Sequence, residues 1–197
     1  GSLAPTQPST STVEGWRSVK KIRRVVLAAL VVGVVALSAL PAGAHVTIKP
    51  SSAPKGGFEV LSFNVPNEQD DANTVKVEVQ FPTKYPIAFV STQPMVGWTT
   101  AVEKSTLAKP VKTDDGEVTE AVTSITWTAT DGGLQPGQFD LFTISAGPLP
   151  TKTNKLTFKA IQTYSNGDVV SWIQQTVKGA PEPEHPAPTL TLTAASD

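Results

Sequence analysis

Residues 74–81, TVKVEVQF, alternate polar and apolar without a break and put Val75, Val77, Val79 and Phe81 on one face. A period of two belongs to an extended strand, whose successive side chains point to opposite sides. The same signature recurs in residues 58–65 (FEVLSFNV), 98–103, 121–129 (AVTSITWTA), 139–146, 156–164 and 169–177, with Gly, Pro, Asn and Asp between the runs. Asn166-Gly167 separates the last two runs and predicts a tight hairpin, because both residue types tolerate positive φ. After residue 44 no long window carries a helical stripe. The pattern predicts an all-β chain, an immunoglobulin-like antiparallel β-sandwich. The sequence contains no Cys. The disulfide framework of antibody domains, thiolate metal sites and thiol nucleophiles are therefore excluded.

A different pattern precedes the strands. Arg17, Lys20, Lys21, Arg23 and Arg24 form a basic cluster, and residues 25–40 (VVLAALVVGVVALSAL) follow as an apolar run. Pro41 breaks that run, and Ala42-Gly43-Ala44 supplies small residues at the positions signal peptidase reads. This order of basic, apolar and small-residue regions predicts a signal peptide over residues 1–44, with an extended n-region, and places the mature protein outside the cytoplasm. The apolar run is shorter than the ~20 residues that span a bilayer, which argues for cleavage over retention as an anchor. Residues 45–178 then form the β domain. Residues 179–197 begin with GAPEPEHPAP, whose prolines cannot donate to a sheet ladder, and read as a Pro-rich solvated linker or tail. Such a tail suggests a membrane anchor beyond it.

Without the leader the domain keeps eleven Lys against sixteen Asp and Glu, and no Arg. Bidentate Arg dominates the reading of phosphates and bases, so nucleic acid is excluded as a partner. Hydrolytic catalysis is excluded too: only two His are present in the chain, neither is placed to activate a Ser, and no paired carboxylates stand out.

Of those two, His185 lies in the Pro-rich tail and reads as solvated. His45 differs, because cleavage after Ala44 makes it the first residue. A free α-amine and the Nδ1 of one residue can close a chelate ring on one metal ion. Nitrogen and oxygen donors in tetragonal geometry favour Cu(II), and the affinity order places copper above nickel and zinc. The α-amine, with a pKa near ~7.7, gives up its proton to such a metal at neutral pH. A soft Cu(I) site lacks ligands, Met95 being the one thioether.

AHVTIKP at residues 44–50, FNVPNE at 63–68, QPMVGW at 93–98, SITWTA at 124–129, PGQFDLF at 136–142 and QTYSNGDVVSW at 162–172 occur in this order. The series resembles the YcnI-like family of secreted or membrane-anchored copper-binding domains and spans nearly all of the β domain. The resemblance implies an immunoglobulin-like or cupredoxin-like sandwich holding Cu(II) in a mono-histidine brace. It assigns the amine and imidazole to His45, a carboxylate ligand to Glu68 and a neighbouring indole to Trp172. Read from the residues alone, Glu68 in PNEQDD is a solvated turn residue with Asp70 and Asp71 as competitors, and Trp172 is a core residue. An indole beside a metal can shield it and offer its π face to the cation. Trp98 and Trp127 read as structural.

The resulting expectation is an extracytoplasmic copper-binding protein, not an enzyme, that serves copper delivery, uptake or homeostasis and exchanges metal with a transporter or chaperone. Two other readings compete. One is a metal-free interaction module, since immunoglobulin-like folds host many. The other is a copper-dependent oxidative enzyme, which needs a second His on the sheet, a place that His185 in the tail does not fill.

Overall fold

The computed structural model describes residue 1 and residues 45–113 and 116–195. The expected leader, apart from Gly1, lies outside the described residues. Among the described residues there is no helix long and apolar enough to cross a membrane.

Twelve strands follow in order: β1 (Thr47–Lys49), β2 (Ser52–Pro54), β3 (Glu59–Pro66), β4 (Thr74–Gln80), β5 (Phe89–Thr92), β6 (Trp98–Thr113), β7 (Gly116–Ala129), β8 (Phe139–Gly147), β9 (Lys155–Thr157), β10 (Lys159–Tyr164), β11 (Val169–Trp172) and β12 (Thr189–Thr193). One sheet runs β1-β3-β8-β5, a second runs β11-β10-β4-β7-β6, and a small third sheet runs β2-β12-β9. The alternation read from the sequence sets which side chains face inward. Leu61, Phe63 and Val65 on β3 and Phe142 and Ile144 on β8 meet Val77 and Val79 on β4 and Ile125 and Trp127 on β7, all buried. Rings lock the two layers edge to face: Trp127 and Phe142 stand 5.4 Å apart, and Trp98 and Phe142 stand 5.0 Å apart. Such pairs add about 0.5–1.5 kcal/mol each beyond their buried area. The buried core cluster lies between Val46 and Leu192, so this stretch carries its own core.

Several sequence expectations change in the folded chain. Residues 156–164 do not form one strand. At Phe158 the chain leaves the small sheet for the large one: Leu156 pairs with Leu190 on β12, whereas Ala160 pairs with Val79 on β4. The Phe158 N–H donates to Pro188 O at 2.9 Å, and its ring fills the corner 5.2 Å from Phe63 and 5.3 Å from Phe81. The runs at 98–103 and 121–129 grow into a much longer β6–β7 hairpin. Beyond Glu103 no side chain of β6 is buried, so no apolar repeat marks the extension. The 169–177 run stops at Trp172. In the hairpin before it Gly167 alone takes positive φ (+95°), and Asn166 instead caps the turn by accepting from Asp168 N at 3.0 Å.

The largest correction concerns residues 179–197. Their Pro-rich half is exposed from Gly179 to Glu182 but buried from Pro186 to Pro188, and TLTLT forms β12 between β2 and β9, parallel to the first and antiparallel to the second. Leu190 and Leu192 are buried in the core. The tail is a strand because its own apolar residues alternate, and the prolines only bring it back across the sandwich.

Leu190→Ala is expected to cost about 2–5 kcal/mol, the range for a buried Leu that leaves a cavity. Equilibrium urea unfolding measures it; an unchanged midpoint would mean that β12 does not help hold the domain together.

Candidate metal centre

His45 stands just before β1. Val46, beside it, is buried and anchors the strand, and β1 pairs antiparallel with β3 through Thr47 and Asn64. Continuing that register two residues outward brings His45 level with Pro66, where β3 ends. Its side chain is 24% exposed, with Nδ1 3.3 Å from Glu182 Oε1. Its ring meets Trp172 edge to face, with centroids 5.8 Å apart.

Trp172 ends β11 and is buried. Its indole N–H donates to Gln162 Oε1 at 3.1 Å. Gln162 is itself only 1% exposed. Its Nε2 donates to Pro66 O at 2.9 Å and to Thr74 Oγ1 at 2.8 Å. The orientation of this amide is fixed by chemistry, since the indole N–H can only donate and the Pro66 carbonyl can only accept. Gln162 thus ties β10 to β11, to the end of β3 and to the start of β4. The indole nitrogen is committed, and only the ring of Trp172 is left to face a cation.

Glu68 belongs to the loop after β3. Asn67, buried, organises that loop: its Nδ2 donates to Ala72 O at 2.8 Å and Leu134 O at 2.9 Å, and its Oδ1 accepts from Gln69 N at 3.0 Å. Glu68 is exposed on the rim of an open depression of about 490 Å³, together with Asp70, Pro136 and Phe139. Neither His45 nor Trp172 lines that depression. Its neighbour Gln69 reaches the β10–β11 turn, with Nε2 3.5 Å from Asp168 Oδ2. Burial first, and then the carboxylates of Glu68 and Asp168, push the Tyr164 phenol above its ordinary value of 10.0.

Of the residues singled out from sequence, His45 and Trp172 are in contact. Glu68 is one loop away, connected through Pro66 and Gln162. Among the described residues no three imidazole, thiol or carboxylate groups converge on one point. Asp71 is an exposed loop residue. His185, expected to be a solvated tail residue, instead lays its ring 5.1 Å from that of Trp172, with Nδ1 buried and without a hydrogen-bond partner.

Three residues of this neighbourhood were missed from sequence. Gln162 had a signal, being a polar residue on the inward repeat of β10 between Ala160 and Tyr164. Glu182 and His185 had none, since only the return of the chain toward β12 brings them to His45 and Trp172.

Gln162→Leu keeps the size but strands the indole N–H, and should cost about 1–3 kcal/mol with a change in tryptophan emission; urea unfolding followed by fluorescence would detect both. Glu68→Gln removes one of the negative charges opposing the phenolate, so spectrophotometric titration should find Tyr164 ionising at lower pH. An unmoved midpoint would remove Glu68 from that neighbourhood. With the phenol raised in the folded state, stability should fall as pH rises past 10.0.

Comparison with known proteins places the chain in a family. Residues 45–192 match the family described as a domain of unknown function, DUF1775. The chain is 35% identical over 153 residues to the copper-binding protein CutI of Bacillus subtilis (strain 168), a match that covers 78% of this chain and 66% of that protein, just under two thirds of its length. A crystal structure from Nocardia farcinica, described as an uncharacterized protein with an immunoglobulin-like fold, superposes with a TM-score of 0.61 at 42% identity, covering 77% of this chain and 99% of that one. The fold is accordingly an all-β, immunoglobulin-like sandwich, and from His45 to Leu192 the chain belongs to the DUF1775, or YcnI-like, family.

Proposed function

We propose that this domain binds Cu(II) outside the cytoplasm, in a mono-histidine brace created when a signal peptide is removed after Ala44. The reading rests on one observation above all. The stretch that matches the family begins at His45, whose imidazole is already seated against Trp172, with a carboxylate oxygen 3.3 Å from Nδ1. A relative named for binding copper supports the choice of metal.

The residues present suit such an ion. Nδ1 meets an anionic oxygen rather than a cation, the ring is partly open to solvent, and the rigid indole beside it gives a low-dielectric wall. The α-amine and Nδ1 of His45 would supply nitrogen, Glu68 oxygen, and Trp172 a shielding face. The loop bearing Glu68 is pinned at Asn67 but exposed beyond it, so its carboxylate can swing without unfolding a strand. The bound ion would supply a charge that can be handed to a partner, and the role is transfer in copper delivery, uptake or homeostasis, not catalysis. A transporter or chaperone is the partner this role requires.

The test compares two proteins, one beginning at His45 and one carrying two further residues ahead of it, titrated with Cu(II) and followed by electron paramagnetic resonance. The first should bind one ion with nitrogen couplings. The second should lose at least about 100-fold in affinity, because outer-shell changes alone cost 10–100-fold and here a direct ligand is removed. Equal, weak binding by both would overturn the proposal in favour of a metal-free interaction module.

A further inference from the structure

The chain returning toward β12 is held at Trp172 by a small network. His185 N donates to Gln174 Oε1 at 2.6 Å, Gln174 N to His185 O at 3.0 Å, and Ala187 N to Gln174 O at 2.8 Å. Pro186 and Ala187 are buried, and the His185 ring packs on the same indole that His45 meets. Three residues earlier, Glu182 is carried to His45. Its Oε1 lies 3.3 Å from Nδ1 while its side chain stays 68% exposed.

We propose that Glu182 is a further carboxylate ligand of the ion held by His45, delivered by the C-terminal segment. This rests on the copper reading above and adds a ligand to it. Two donor atoms each about 2 Å from one ion are about 2.8 Å apart at the 90° of a tetragonal Cu(II) site. His45 Nδ1 and Glu182 Oε1, at 3.3 Å, need to close by only about half an ångström to reach ligand spacing. A solvated carboxylate at that point sheds little order to reach the ion, since its segment is fixed at Gln174 and His185. Glu68 would come from a different segment, the loop after β3. The centre would thus join both ends of the domain, the first residue and the segment leading into the last strand.

The experiment uses the protein beginning at His45, with Glu182→Gln and, as a control on the same segment, Glu184→Gln. Copper(II) affinity is measured by chelator competition, and the copper hyperfine coupling by electron paramagnetic resonance. Glu182→Gln should weaken binding by about 10-fold or more and shift the hyperfine coupling, as loss of a direct ligand does at least as strongly as an outer-shell change. Glu184→Gln should match the parent. If the parent binds through His45 and Glu182→Gln leaves affinity and spectrum unchanged, this inference falls and the brace stands. Tighter binding by Glu182→Gln also overturns it, since the carboxylate would then be competing with the ion for Nδ1. A parent that binds no copper overturns the brace, and the inference with it.

Discussion

A buried amide has to find partners for both its ends, and in this domain Gln162 does so at the meeting point of four strands. Unpaired, such a group would cost about 1–3 kcal/mol for each orphaned atom. Paired as it is with Pro66 O, Thr74 Oγ1 and the Trp172 N–H, it fixes how the end of β3 and the start of β4 sit against β10 and β11. The loop bearing Glu68 starts at Asn67, one residue beyond Pro66 and next to that junction. His45 packs on the indole that it orients. The geometry of the candidate centre depends on this one side chain.

The two most buried tryptophans show how differently one residue type can be used. Trp127 is fully buried against Phe142, and its N–H has no hydrogen-bond partner. Its value is in packing, and the layers close around it. Trp172 is buried nearly as well, yet its N–H is held and its ring is flanked by two imidazoles, His45 at 5.8 Å and His185 at 5.1 Å. A ring clamped in this way is a rigid wall with little freedom to lose when a cation arrives, which is the physical basis of preorganisation.

With no cysteine in the chain, the sandwich is closed by apolar packing and by its last strand. β12 covers Leu156 and Ala53 at the open corner, and Phe158 turns the chain between the two sheets there. The same return carries Glu182 to His45 and His185 to Trp172. Closing the core and approaching the candidate centre are consequences of one path of the chain.

Much of this was written in the sequence. Period-two alternation identified β3, β4, β7 and β8, each with one buried face, because apolar side chains must then recur at every second position; the same alternation in TLTLT of β12 was passed over behind the Pro-rich stretch. It failed where neither face is buried, as along the outer β6–β7 hairpin, and where one run serves two sheets, as at Phe158. His45 and Trp172 were legible as candidates, one from its place after the expected cleavage motif and the other from the resemblance carried by the QTYSNGDVVSW block. Their contact, the tether from Gln162 and the arrival of Glu182 and His185 were decided only by the tertiary structure. Sequence patterns report which face of a strand is apolar, whereas proximity between distant segments is set by how the sheets stack and where the last strand finds its partners.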